Sequence, residues 1–269
     1  MENPKNALTV PVAIVVAGII IAGAIFFSRG TRAKDVFQAP AADTTTQETV
    51  NIANRPVNAN EHILGNPNAS IVMVEYSDLE CPFCKSFHKT MQTILDQYGK
   101  TGQVSWAYRH FPLDIHPKSR KESEASECAY EAGGNDKFFA FVNKVFEVTP
   151  SNNGLDPSKL SEIATQIGLD GGQIQNCIDS GKFAGKIQAD YDDGLKAGVN
   201  GTPNTVLTLK KNIAPSAEKR LREINQTILR QLQPGSPSPI TIDAGKRKVG
   251  VSGAFQLNMM KEMIDILLK

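Results

Sequence analysis

Residues 81–84 read "CPFC", two thiols separated by two residues. Such a pair is open to three chemistries: a dithiol–disulfide couple, half of a metal clip, or buried sulfur packing as a small hydrophobe. The flanking residues discriminate among them. Upstream, "IVMVEY" (71–76) is a nearly continuous apolar run with β-branched residues, which predicts a strand buried on both faces. Downstream, Phe87, Met91, Ile94, Leu95 and Tyr98 fall at helical spacing. The thiols therefore sit where a buried strand gives way to an amphipathic helix. At a helix N-terminus, unpaired backbone N–H groups and the positive dipole end favour the thiolate, the form that attacks disulfides. Pro82 suits the first turn of such a helix. The expected division of labour is an exposed nucleophile at Cys81 and a more buried resolving thiol at Cys84. A structural zinc site would need a second compact ligand pair. Cys128 and Cys177 are isolated from each other and from the motif, and His88 reads as a surface or packing residue. No metal and no cofactor are expected.

The elements that must hold this motif follow from periodicity. "QVSWAYRHF" (103–111) alternates as a second strand and completes a βαβ unit. Residues 117–197 read as helical throughout, with stripes at Ala125, Cys128, Ala129 and Ala132, at Phe138, Phe141, Val142, Val145 and Phe146, and at Leu160, Ile163, Ala164 and Ile167. The stretch Arg120–Glu127 reads as a solvated mixed-charge face. Strand character returns at 202–210, a helix at 215–232, a hairpin at 240–253 turning near Ala244-Gly245, and a last helix at 255–268 whose methionines read as core. Cys128 and Cys177 each lie on an apolar stripe. Joined, they would close a loop of about fifty residues, worth roughly 4 kcal/mol in the chain-entropy model; the alternative is two unlinked core cysteines. The joined form is expected.

Taken together, "VEYSDLECPFC" (74–84), the inserted helical block and "GTP" (201–203) before a strand resemble the DsbA-like thiol–disulfide oxidoreductases of the thioredoxin superfamily. The resemblance covers roughly residues 60–269, with 213–239 as a departure from the common pattern. It implies an α/β architecture: a thioredoxin fold interrupted by an all-helical domain. It also implies three site features. Glu75 matches an acidic position in the strand and, as the only charge in a buried-looking run, is expected to have a raised pKa and to relay protons to Cys84. Pro203 matches the cis-proline that faces the thiols and, with Thr202, receives substrate backbone. Phe83, beside Pro82, stands where the most oxidising relatives carry a histidine; it either makes the pair less oxidising or simply contacts apolar parts of substrates. Because it cannot donate a hydrogen bond to the thiolate, a potential between about −270 and −120 mV, the values for thioredoxin and DsbA, is expected.

The 269 residues carry a formal net charge of only +1, which gives no electrostatic footprint for nucleic acid. Residues 10–27 hold no charge and nearly span a hydrocarbon core, and no small-x-small cleavage site follows them, so an uncleaved anchor is expected. The expected organisation is a single transmembrane helix at 1–28, a polar flexible linker at 29–60, and a thioredoxin-like domain at 61–269 with helical insertions at about 115–197 and 213–239. Counting flanking positive charges would keep the domain in the cytoplasm, but a long following domain weakens that rule. The Cys128–Cys177 bond needs an oxidising compartment, which places the domain on the outer side of the cytoplasmic membrane. The expected activity is a monomeric dithiol oxidase acting on exported protein thiols and reoxidised, as the resemblance implies, by a quinone-linked membrane oxidase. The alternatives are a reductase or isomerase with the same site, or a non-catalytic chaperone-like binder.

Overall fold

A computed structural model describes residues 50–58 and 60–269. Six strands form one mixed sheet in the order β1-β3-β2-β4-β6-β5. They are β1 (His62–Leu64), β2 (Ile71–Ser77), β3 (Val104–His110), β4 (Asn204–Leu209), β5 (Ile240–Ile242) and β6 (Lys248–Ser252). β2 runs parallel to β3 and antiparallel to β4, so it is the central strand. Its neighbours on both sides explain the continuous apolar run read from the sequence. α1 (Pro82–Ile94) follows β2 directly. The helical block comprises α2 (Ser119–Val148), α3 (Leu160–Gln166), α4 (Gly171–Ser180) and α5 (Ala184–Lys196). α6 (Pro215–Leu229) lies in the segment expected as a second insertion, and α7 (Leu257–Leu268) closes the chain. β5 and β6 form the expected antiparallel hairpin.

Strand pleating assigns the two faces of β2. Ile71 and Met73 join a large core with Phe87, Met91, Met260, Met263 and the aromatic residues of α2. Val74 and Tyr76 point the other way, into a smaller core with Ile52, Phe111, Val199 and Val206. Glu75 shares the Met73 face by the same alternation, which directs a carboxyl toward α1. Cys128 in α2 and Cys177 in α4 are bonded, with Cα atoms 6.0 Å apart. The block thus carries a covalent tie between its longest helix and a shorter one.

Two expectations fail here. The flexible linker expected over 29–60 is not free at its end: Ile52 is 2% exposed and sits in the smaller core. Residues 50–56 form a strap, held where the Ile52 amide donates to Asp243 Oδ1 at 3.0 Å and Lys248 donates to the Ile52 carbonyl at 2.7 Å. The solvated face expected at Arg120–Glu127 is instead largely buried, with Glu122, Ser123, Ser126 and Glu127 inside. The apolar stretch at 10–27 lies outside the described residues; within them no helix is long and apolar enough to cross a membrane.

The strap is fixed by ion pairs that no periodicity signals. Arg109, fully buried in β3, donates to Glu61 at 3.1 Å and to Asp193 of α5 at 2.7 Å. It also donates to the Arg55 carbonyl at 3.1 Å. Gly194 is needed beside this contact, because a Cβ there would meet the Phe111 ring at 2.5 Å. Removing one partner of a buried pair leaves an uncompensated charge and costs about 3–5 kcal/mol. Urea unfolding of Arg109→Ala is expected to show a loss of that order, and a loss under about 1 kcal/mol would contradict the buried clamp.

Candidate functional site

The site begins with the backbone. Cys81 is the N-cap of α1, in extended conformation, and Pro82 occupies the first helical position. Its missing N–H costs the first turn nothing, since no intrahelical partner exists there. The Cys81 amide donates to the Asp78 carbonyl at 3.1 Å, closing a turn that presents the sulfur at the helix mouth. Across the gap, the Thr202–Pro203 bond is cis, and the Cys81 thiol donates to the Thr202 carbonyl at 3.5 Å. β4 begins at the next residue and pairs with β2, so Thr202 and Pro203 are held against the motif by the sheet itself.

The two sulfurs have opposite environments. Cys81 is shifted down to about 6; the Cys84 side chain is the main cause, acting against burial, and the Thr202 side chain and the amides of Cys84 and Phe83 add to it. Burial pushes Cys84 well above its ordinary value, and the Cys81 sulfur and the Glu75 charge push the same way. The Asp78 amide donates to Cys84 Sγ at 3.5 Å. A proton is therefore kept on Cys84 and removed from Cys81. The expectation of an exposed nucleophile is corrected: Cys81 is only 3% exposed, because the Thr202–Pro203 segment lies over it. Its neighbour Phe83 is 64% exposed and Pro82 is exposed, so the surface beside the sulfur is apolar and open.

Glu75 lies in the middle of β2, opposite Tyr108 and Thr205, fully buried with neither carboxylate oxygen hydrogen-bonded. Burial raises its pKa to about 8. A carboxyl that carries a proton near neutrality beside a thiol that resists ionisation is an arrangement for moving one proton between them.

Sequence reasoning missed the polar scaffold behind the motif. Asp78 accepts from the Glu80 amide, the Leu113 amide and His116 Nδ1 at 2.8–2.9 Å. Glu80 accepts from the amides of Gly154 and Leu155 at 3.1 and 3.2 Å. Burial, with Glu80 alongside, raises Glu122 to about 10, so this member of the group is a neutral acid. These contacts tie the loop before α1 to the loops that precede and follow α2. The acidic "SDLE" before the motif was their only trace in the sequence. His88, read as a surface or packing residue, packs inside: it meets Asn143 Oδ1 at 2.5 Å and lies against Trp106 and Phe146. Burial lowers its pKa to about 4. Among the described residues, metal-ligand atoms converge elsewhere, at His62, His110 and Glu127.

Because the Cys84 side chain dominates the Cys81 shift, Cys84→Ala is expected to raise the Cys81 pKa from about 6 toward the ordinary thiol range, whereas Cys84→Ser keeps a donor and raises it less. The pH dependence of iodoacetamide alkylation reads this ordering directly. A Cys81 midpoint unchanged in Cys84→Ala would contradict it.

Residues 57–226 match the family model described as Thioredoxin. A curated relative, the Na(+)/H(+) antiporter NhaA 1 of Mycobacterium sp. (strain KMS), is 32% identical over 165 residues, 60% of this chain. The chain spans about a quarter, 26%, of that protein's length. Disulfide bond formation protein D of Bacillus subtilis (strain 168) is 27% identical over 196 residues, covering 70% of this chain and 85% of that protein. Among solved structures, alpha-DsbA1 of Wolbachia pipientis superposes with a TM-score of 0.58 at 26% identity, covering 79% of this chain and 92% of that one.

Proposed function

We propose a function on the premise that this chain belongs to the thioredoxin family: it is a thiol–disulfide oxidoreductase, working as a dithiol oxidase through Cys81 and Cys84. The observation that carries the proposal is the divergence of the two sulfurs, one held ionised at the mouth of α1 and the other held protonated behind it. Stabilising the thiolate stabilises the reduced pair, which makes the Cys81–Cys84 disulfide a better oxidant.

The electrons balance as follows. A substrate thiolate attacks Cys81 Sγ of the disulfide, forming a mixed disulfide and expelling Cys84 with the electron pair of the broken bond. Cys84 is a poor thiolate, so it takes up a proton, and Glu75, protonated below about pH 8, supplies it. A second substrate thiolate then attacks the substrate sulfur, forming the substrate disulfide and releasing Cys81 as its stable thiolate. Two electrons leave the substrate and rest on the pair. Substrate backbone docks against the Thr202–Pro203 segment, and the exposed Phe83 and Pro82 receive apolar side chains.

The proposed setting is the outer side of the cytoplasmic membrane, tethered by residues 10–27 and acting on exported proteins. The Cys128–Cys177 bond supports it, since a structural disulfide persists in oxidising compartments. Turnover there requires an electron acceptor, in this proposal a quinone-linked membrane oxidase.

The test is oxidative refolding of a reduced disulfide protein by the stoichiometric Cys81–Cys84 disulfide form. Wild type is expected to generate substrate disulfides, and Cys81→Ser to generate none; equal yields from both would leave only chaperone-like binding. Formation of the mixed disulfide, normalised to substrate thiolate, is expected to fall as pH rises through about 8, where Glu75 loses its proton. Glu75→Gln is expected to flatten that limb and slow the step on the order of 100-fold. An unchanged pH profile in Glu75→Gln would remove the relay.

A further inference from the structure

His62 at the start of β1, His110 at the end of β3 and Glu127 in α2 are far apart in sequence and meet behind the sheet. Nε2 of His62 lies 2.7 Å from Glu127 Oε1, and Nε2 of His110 lies 3.0 Å from the same oxygen. All three side chains are buried, and their donor atoms fall within 4.8 Å of one another. The rings are aimed by packing: His62 stacks on Phe138 with centroids 3.6 Å apart, and His110 meets Tyr108 and Phe138 edge-on.

Glu127 belongs to a continuous ion network: Lys186 lies 3.4 Å from Glu127 and 2.8 Å from Asp190, Arg55 joins Asp190 to Glu61, and Arg109 joins Glu61 to Asp193. Four buried carboxylates thus face three permanent cations. A buried excess of negative charge favours a further cation beside it, whether a bound ion or a protonated imidazole. Lys186 is shared between Glu127 and Asp190, and the two imidazoles complete the surroundings of Glu127.

We propose that His62, His110 and Glu127 bind one transition-metal dication of the zinc class. Two imidazole nitrogens and one carboxylate oxygen, with a fourth position open, are a recognised donor set for that ion. Donors about 2.0–2.1 Å from a tetrahedral metal stand about 3.3 Å apart, so on binding the two N···O separations, 2.7 and 3.0 Å, open and the imidazole nitrogens, within 4.8 Å of each other, adjust to the same spacing. A cleft of about 430 Å³ lined in part by Arg55, Glu61, Lys186, Asp190 and Lys196 adjoins the ion network, and Lys186 is common to the cleft and to the Glu127 pair. Lys186, 30% exposed, lies 3.4 Å from Glu127 and 2.8 Å from Asp190. The ligands come from two adjacent strands, β1 and β3, and from the helical block, so the ion bolts the sheet to that block. It does not touch the thiols, and the inference stands independently of the redox proposal.

The test uses the full chain, chelator-treated, with Cys81–Cys84 oxidised so that no thiolate competes. Titration with Co²⁺ is expected to load one ion per chain, giving tetrahedral visible absorption without a thiolate charge-transfer band. Zn²⁺ is expected to displace it and to raise the melting temperature with concentration. His62→Gln and Glu127→Gln are each expected to lose uptake while far-UV circular dichroism shows the fold intact. Wild-type protein that takes up neither ion at millimolar concentration overturns the proposal. Uptake retained in folded His62→Gln or Glu127→Gln overturns it equally.

Discussion

The structure turns on one sulfur kept ionised in a place that is nearly closed to solvent. Burial alone would hold a proton on Cys81, and the surroundings must more than offset it. They do so with short-range donors: the Cys84 side chain, the Thr202 side chain and the first amides of α1. The first and last belong to α1 and the Thr202 side chain lies just before β4, so the thiolate depends on α1 and β4 being brought together across β2. The antiparallel pairing of β4 with β2 brings Thr202 across 121 residues of sequence to the helix mouth.

The same economy of buried polar groups extends through the domain. Glu75 and Glu122 are carboxyls kept uncharged near neutrality by burial, whereas Glu61, Asp190 and Asp193 sit in ion pairs with Arg55, Arg109 and Lys186. Of the first kind, Glu75 can hold and release a proton beside the Cys81–Cys84 pair. The second kind fixes geometry, joining the strap to the sheet and the sheet to the helical block. Buried ion pairs are weak evidence for stability, but they tolerate little rearrangement, which suits a scaffold that must hold two sulfurs in unequal environments.

What the sequence revealed and what it hid divide along one physical line. The motif, β2, α1, β3, the β5–β6 hairpin and α7 were legible because apolar periodicity is local. Glu75 stood out because it interrupts an apolar run. The strap was misread as free linker because Arg55 and Glu61 look solvated until Arg109, Asp190 and Asp193 are brought to them. Arg120–Glu127 was misread for the same reason: Glu122 and Glu127 are buried by partners on β3, α5 and the loop before α1. The near-closure of Cys81 was likewise invisible, since its cover is the distant Thr202–Pro203 segment.

The reduction potential of the Cys81–Cys84 couple, measured by equilibration with glutathione buffers at pH 7, tests the central claim most directly. A stabilised thiolate without a histidine at position 83 places the couple between about −270 and −120 mV. A value at or below about −270 mV would mean that the reduced pair gains nothing from the helix mouth, and would contradict the account.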